Sequence, residues 1–149
     1  AARFSLPQRV SVGEGFVLVA DAGNHRIRRV DLSTGVVATV AGAGVQGFSG
    51  DGGDALAAEL SSPYGVRVDP EGGFWIADSG NHRVRRVMPD GTIRTVAGDG
   101  RSGFSEDGVP ATSSALAFPA DVLLSDDGDV YIADMLNSLV RRVALGREE

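Results

Sequence analysis

The chain has 149 residues, a formal net charge of −6 and no cysteine. Its length is that of one domain, and the absence of cysteine excludes a disulfide scaffold, a thiolate metal site and a cysteine nucleophile. The negative charge disfavours nucleic acid as a partner. No apolar run reaches the ~18 residues of a membrane-spanning helix, so we expect no membrane partner. A chain without cysteine tolerates either redox environment, so the sequence assigns no compartment.

Three copies of one pattern follow each other along the chain. Each copy begins at a proline, reads strand–turn–strand as far as an Ala-Asp pair, and continues with an arginine-rich third strand; the first two copies add a fourth strand. The prolines are Pro7, Pro63 and Pro119, the predicted third strands cover 26–30, 83–87 and 139–143, and the predicted fourth strands lie within 36–42 and 92–98. The prolines are 56 residues apart, and such a period indicates a repeat architecture.

Long connectors join the copies, and their residues also recur 56 positions apart. Asp54 is a suitable N-cap for a short helix over 55–60. Pro110 occupies the equivalent place in the next connector and is a typical first-turn residue for a helix over 111–117. We therefore predict one short helix in each connector.

Four short strands per unit at a strict period are typical of β-propeller blades, whose sheets stack face to face around an axis. We predict an all-β fold of antiparallel four-stranded blades with short helical connectors, at 7–62, 63–118 and 119–149. The third blade lacks its last strand, so the sequence holds about 2.75 blades of this architecture. A β-sandwich is the alternative fold, but it does not require a strict repeat. Tyr64 and Trp75 are expected in the packing between blades.

In the first two copies, the turn after the second strand resembles that of a known repeat family. Residues 20–28 read ADAGNHRIR and residues 77–85 read ADSGNHRVR; together with the Gly-rich connectors, both segments resemble NHL repeats. The resemblance implies propeller blades that close into rings of about six. We expect this chain to be part of a longer one or, alternatively, to pair with a second copy so that two three-blade halves complete a ring.

We predict a structural role for eight residues of these turns, since aspartate can accept backbone N–H bonds and asparagine tolerates a left-handed backbone. They are Asp21, Asn24, His25, Asp78, Asn81, His82, Asp134 and Asn137. The third copy has Ser138 in place of the histidine, which argues against a role that needs a histidine from every blade. Two histidines one blade apart lack the third ligand that zinc needs, and the connector acids lack EF-hand spacing. We predict no metal and no cofactor.

The third strands carry eight arginines: Arg26, Arg28, Arg29, Arg83, Arg85, Arg86, Arg141 and Arg142. Some NHL propellers bind RNA through a basic face, so the resemblance makes RNA binding one alternative function. No aromatic residues alternate with these arginines to stack bases, and acidic residues are abundant. We expect the arginine stems to pack on the blades and their guanidinium groups to pair with Asp or Glu, and we do not expect nucleic acid as a partner.

The sequence contains no nucleophile elbow, zinc-protease motif or phosphate-binding loop, which disfavours an enzyme. The predicted function is a non-catalytic interaction scaffold that presents its loops to a protein or peptide partner. The connectors and the Asp-x-x-Asn turns are expected on one face, where the candidate contact residues are Phe48, Asp51, Ser79, Gly80, Phe104 and Asp107. The resemblance also implies a further alternative, a metal-dependent lyase or hydrolase propeller whose site lies in blades outside this sequence.

Overall fold

The computed structural model describes residues 2–146. Within them, eleven strands form three antiparallel sheets. The first sheet contains β1 (Pro7–Gly13), β2 (Phe16–Asp21), β3 (Arg26–Asp31) and β4 (Val37–Ala41). The second contains β5 (Gly65–Val68), β6 (Phe74–Asp78), β7 (Arg83–Val87) and β8 (Ile93–Ala97), and the third contains β9 (Pro119–Leu124), β10 (Val130–Asp134) and β11 (Leu139–Val143). In every sheet, strands adjacent in sequence are adjacent in space.

The sheets stack face to face, and an apolar cluster fills each junction. The first sheet contributes Leu18, Ala20, Ile27 and Ala41 to the first junction. The second sheet contributes the equivalent residues of the next repeat, Trp75, Ala77, Val84 and Ala97, to the second junction. We call this side of each sheet its leading face, and the opposite side its trailing face. The architecture is all-β, with β-propeller blades of four, four and three strands among the described residues, and Trp75 packs between blades as predicted.

Each second strand is followed by one turn of 3₁₀ helix. These turns cover Ala22–Asn24, Ser79–Asn81 and Met135–Asn137. The residue after each turn has a left-handed backbone, with φ of 54° at His25, 53° at His82 and 56° at Ser138. The prediction of a left-handed asparagine was therefore wrong by one position, because the asparagine completes the 3₁₀ turn and the next residue reverses the chain.

Of the two predicted connector helices, the first is absent and the second is shorter than expected. Residues 55–57 form a turn, and the second connector has only the 3₁₀ helix Ala111–Ser113. The connector carbonyls accept hydrogen bonds from the chain just after the fourth strands: Ala55 and Ala58 accept from Gly42 and Ala43 at 2.9 and 2.8 Å. Because a helix this short is marginal by itself, these long-range bonds determine the course of the connector.

The 3₁₀ turns are the only helical elements among residues 2–146, and none is long and apolar enough to cross a bilayer.

Candidate binding site on the connectors

In each blade, hydrogen bonds of a buried aspartate and a neighbouring asparagine hold the turn against the connector that precedes it. Asp78 accepts a hydrogen bond from the Ser61 N–H at 2.8 Å and another from the Asn81 amide at 2.8 Å. The same amide donates to the Gly47 carbonyl at 2.7 Å. The arrangement recurs in the other blades, with Asp21 bound to Ser5 and Asp134 bound to Ala117, both at 2.7 Å. Each aspartate thus joins its own turn, through the asparagine amide, to a distant connector.

The two histidines fasten the connector that follows. The Ser62 N–H donates to His25 Nδ1 and the Phe118 N–H donates to His82 Nδ1, both at 3.0 Å. Ser62 and Phe118 both have a left-handed backbone and precede a proline, a position that normally disfavours such a conformation. Each histidine therefore fixes the entry of the next blade.

Arg85 is the centre of a buried ionic cluster that holds the first connector. Its side chain is fully buried and donates to Asp51 Oδ1 at 2.8 Å, to Asp78 Oδ2 at 3.4 Å, and to the Ser49 and Glu59 carbonyls at 2.8 and 3.0 Å. Burial raises the pKa of Asp78 to about 6, although the hydrogen bonds from Asn81 and Ser61 and the charge of Arg85 oppose the rise. The cluster orders the connector before any partner is present.

Phe48 covers this cluster from outside. Its ring lies 3.6 Å from the Arg83 guanidinium carbon and 4.9 Å from that of Arg85, which are cation–π distances. Asp51 also accepts a hydrogen bond from the Thr95 hydroxyl of β8 at 2.6 Å. Two of the candidate contact residues are thus engaged in holding connector and blade together.

Ser79 and Gly80 are engaged as well. The Ser79 hydroxyl is buried and donates to the Pro119 carbonyl at 2.6 Å. Gly80 donates its N–H to the Ser61 carbonyl at 2.9 Å, and a Cβ there would collide with the Ser61 hydroxyl. Neither residue presents a side chain to solvent.

Phe104 and Asp107, 56 positions after Phe48 and Asp51, are held much less tightly. Phe104 is 57% exposed, against 39% for Phe48, and its ring lies 5.4 Å from the Arg141 guanidinium carbon. The Asp107 side chain is 99% exposed and reaches Arg141 only at 3.5 Å. These two side chains are available to a partner.

A groove of about 930 Å³ lies beside them, between β11 and the second connector. Its walls are the connector residues Phe104 to Ala111 and the strand residues 139–143, and its floor includes Ala97, Leu116 and Ile132. Arg141 Nη1 is buried without a hydrogen-bond partner among residues 2–146. The groove lies where the second blade has its fourth strand, so it follows from the sequence prediction that the third blade lacks its last strand.

All eight arginines of the third strands have partners. Arg28, Arg85, Arg86, Arg141 and Arg142 pair with aspartates. Arg29 lies over the ring of Phe16, and Arg26 and Arg83 donate to the carbonyls of Ala43 and Asp99. Among residues 2–146, no three His, Asp or Glu side chains are grouped to hold a metal ion.

A family model described as NHL repeat matches residues 4–30 and 60–87. The chain carries NHL repeats. The matched segments contain the first three strands of the first and second blades, including both Asp-x-x-Asn-His turns. NHL repeat-containing protein 2 from Bos taurus is 31% identical over 165 residues, which cover 95% of this chain and 23% of that protein. The chain thus spans about a quarter of the length of that relative.

Solved structures share the fold of these NHL repeats. An auxiliary nutrient binding protein from Bacteroides thetaiotaomicron superposes with a TM-score of 0.75 at 20% identity, over 91% of this chain and 36% of that one. A gluconolactonase from Xanthomonas campestris superposes with a TM-score of 0.59 at 15% identity, over 87% and 35%. Since both identities are low, these likenesses concern the fold alone.

Proposed function

We propose that this chain is a non-catalytic interaction scaffold that binds a protein or peptide partner along the second connector. The proposal rests on one difference between the first and second connectors. Phe48 and Asp51 are occupied by arginines and by Thr95 of the second blade, whereas the equivalent Phe104 and Asp107 are exposed beside a groove. Within residues 2–146, the repeat therefore builds the same pair twice, and the second pair is exposed beside β11, where no fourth strand is described.

The chemistry of this surface suits a peptide. The exposed ring of Phe104 and the side chain of Val109 supply apolar contacts, and Asp107 supplies a hydrogen-bond acceptor. The groove volume of about 930 Å³ is within the range of small-molecule and peptide pockets. Because the second connector is already held by Asp134 and Asn137, which bind the Ala117 N–H and the Gly103 carbonyl, binding costs little conformational entropy on the protein side.

The two alternatives find less support in the described residues. A metal-dependent lyase or hydrolase needs converging ligands, and residues 2–146 offer no such group; the gluconolactonase likeness is one of fold. RNA binding needs available guanidinium groups, but the arginines of the third strands are engaged with carboxylates, carbonyls or rings. We adopt neither alternative.

Selection from a phage-displayed library of random 12-residue peptides tests the proposal. We expect enriched peptides that bind the chain saturably and bind a Phe104→Ala/Asp107→Ala variant at least tenfold more weakly. The matched control is Leu32→Ala/Glu14→Ala, which also removes one exposed apolar side chain and one exposed carboxylate, at neighbouring turns of the first blade. Equal binding to both double variants, or no enriched peptide, would overturn the proposal.

A further inference from the structure

The first residue of the third strand differs between the third blade and the other two. Arg26 and Arg83 begin the third strands of the first two blades, whereas Leu139 begins that of the third. Each arginine donates to the carbonyl of the residue two positions after its own fourth strand, Arg26 to Ala43 at 3.3 Å and Arg83 to Asp99 at 2.9 Å. The third blade therefore lacks a guanidinium group that the other two blades hold in the same way.

The first connector shows what this guanidinium group binds. The guanidinium carbon of Arg83 lies 3.6 Å from the centroid of the Phe48 ring, and that of Arg85 lies 4.9 Å from it. Both are cation–π distances, and Arg83 makes the closer contact. The connector phenylalanine is therefore a receptor for the arginine that begins the third strand.

The second connector has the phenylalanine without this arginine. The Phe104 ring lies 5.4 Å from the guanidinium carbon of Arg141, which corresponds to Arg85, so the ring has kept its place relative to the third strand. Leu139 stands where Arg83 would stack. Within residues 2–146, Arg141 is the only arginine over this ring, so the closer of the two cation positions holds no cation.

The charges around the two rings differ in the same direction. Two arginines and two aspartates, whose formal charges cancel, surround the ring of the first connector: Arg83, Arg85, Asp51 and Asp78. The corresponding residues of the next repeat are one arginine and two aspartates, Arg141, Asp107 and Asp134. Glu106, where the first connector has Gly50, adds a third carboxylate. The surroundings of Phe104 therefore favour a cation.

The connector phenylalanine faces solvent even in a blade with four strands. In the second blade, which contains β8, Phe48 is 39% exposed and the Asp51 side chain is 37% exposed. A partner can therefore reach the equivalent residues beside a fourth strand. The exchange of arginine for Leu139 belongs to the third strand itself and is independent of what lies at the outer edge of β11.

We propose that the partner supplies an arginine side chain that stacks on Phe104, in the position that Arg83 occupies on Phe48. The carboxylates of Glu106 and Asp107 attract its charge. Arginine suits the position better than lysine because its planar guanidinium group stacks on an aromatic face. This inference rests on the proposed function and names the residue that the partner must carry.

Restoring the arginine within the chain tests the inference. In Leu139→Arg, the chain's own guanidinium group should stack on Phe104 and exclude an arginine of the partner. We expect the most enriched peptides of the random 12-residue library to contain arginine and to bind this variant at least about tenfold more weakly than the natural chain. The control Leu136→Arg adds the same charge at an exposed position of the neighbouring 3₁₀ turn and should leave binding unchanged.

A change in the peptide tests the same contact on the natural chain, and so does not depend on how Leu139→Arg folds. Citrulline keeps the planar shape of arginine without its charge. By fluorescence anisotropy, peptides with citrulline for arginine should bind the natural chain at least about tenfold more weakly. Phe104→Leu keeps an apolar side chain but removes the ring, so the difference between the two peptides should shrink in this variant.

The outcomes separate this inference from the proposed function. Enriched peptides without arginine, equal binding of the arginine and citrulline peptides, or undiminished binding to Leu139→Arg would each overturn the inference. If such peptides still depend on Phe104 and Asp107, the scaffold function stands and the arginine partner falls. If the library yields no binder, both fall.

Discussion

At the scale of single residues, the turn histidine acts across blades. His25 and His82 occupy a left-handed position in one turn and accept the N–H of a residue more than thirty positions later. The sequence assigned both histidines to their own turns because local patterns do not reveal a backbone donor so far along the chain. Ser138 has the same backbone as the histidines, and its side chain makes no hydrogen bond within residues 2–146.

This difference makes Ser138 a built-in control for His82. We expect His82→Ala to lower the free energy of unfolding by about 1 kcal/mol more than Ser138→Ala does, because only the first leaves a partly buried N–H without its acceptor. The two positions have φ of 53° and 56°, so backbone strain contributes equally. Urea unfolding monitored by Trp75 fluorescence measures both values. Equal losses would show that the Phe118 N–H bond contributes nothing to stability.

The buried carboxyl of Asp78 predicts a pH dependence of stability. Burial raises its pKa from 3.8 to about 6 in the folded chain, so between these pH values the folded chain holds a proton that the unfolded chain releases. The stability from this proton is complete below pH 3.8 and is lost as pH rises through 6.

Asp78→Asn isolates this effect, because it removes the titration and leaves the other acids in place. We expect the unfolding free energy of the natural chain, minus that of the variant, to fall by about 2 kcal/mol between pH 4 and pH 7. Urea titrations at several pH values measure the difference. A rise over the same range would mean that Arg85 and the hydrogen bonds outweigh burial and hold the carboxyl ionised.

At the scale of elements, the repeat in the sequence was sufficient to predict the strands but not the structure of the connectors. Hairpin turns and alternating apolar residues are local signals, so all eleven strands of the described chain could be predicted. The helix expected over 55–60 is absent and the one expected over 111–117 is reduced to Ala111–Ser113, because the connectors bind strands far away in sequence. The contrast between the two connectors was missed for a related reason: Phe104 and Asp107 look identical to Phe48 and Asp51 in sequence and differ only in their surroundings.

The glycine at the end of each fourth strand lies close to the carbonyl of the turn histidine in the same blade. Substituting this glycine tests how closely strand and turn approach each other. Gly98 and Gly91 have similar φ values of 91° and 87°, but only Gly98 would bring a Cβ against a carbonyl, whereas nothing lies within 4 Å at Gly91. We expect Gly91→Ala to cost about 1 kcal/mol of backbone strain and Gly98→Ala at least about 2 kcal/mol more. Chemical unfolding of both variants gives the comparison, and similar costs would contradict the close approach of β8 to the turn of His82.

At the scale of the whole molecule, two apolar faces remain open. Val10 and Val12 lie on the trailing face of the first blade and are 63% and 70% exposed. Val140 lies on the leading face of the third blade and is 73% exposed. The same repeat positions in the second blade, Val66 and Val84, are buried at the two junctions. The open faces are therefore the two halves of one kind of junction.

We propose that these faces associate head to tail, so that two copies complete a ring. Light scattering should then give twice the 15.4 kDa chain mass at high concentration, and Val140→Asp should shift the species to the single mass. Leu32→Asp, at an exposed turn position, is the control. A single-mass species at every concentration would overturn the association and leave the open faces to other blades or partners.

The hydrogen bonds between connectors and blades also determine when each connector can fold during synthesis. Arg85 reaches Ser49 and Asp51 across 36 and 34 residues, and Asn137 reaches Gly103 across 34. At about 5–20 residues per second, a ribosome needs seconds to deliver the arginine that orders a connector already emerged. During that interval Ala55, Ala58 and Leu60 lack the second-blade part of their core, which includes Val66, Ile76, Val87 and Ile93. We therefore expect folding to proceed in steps of one repeat, each trailing translation by most of a blade.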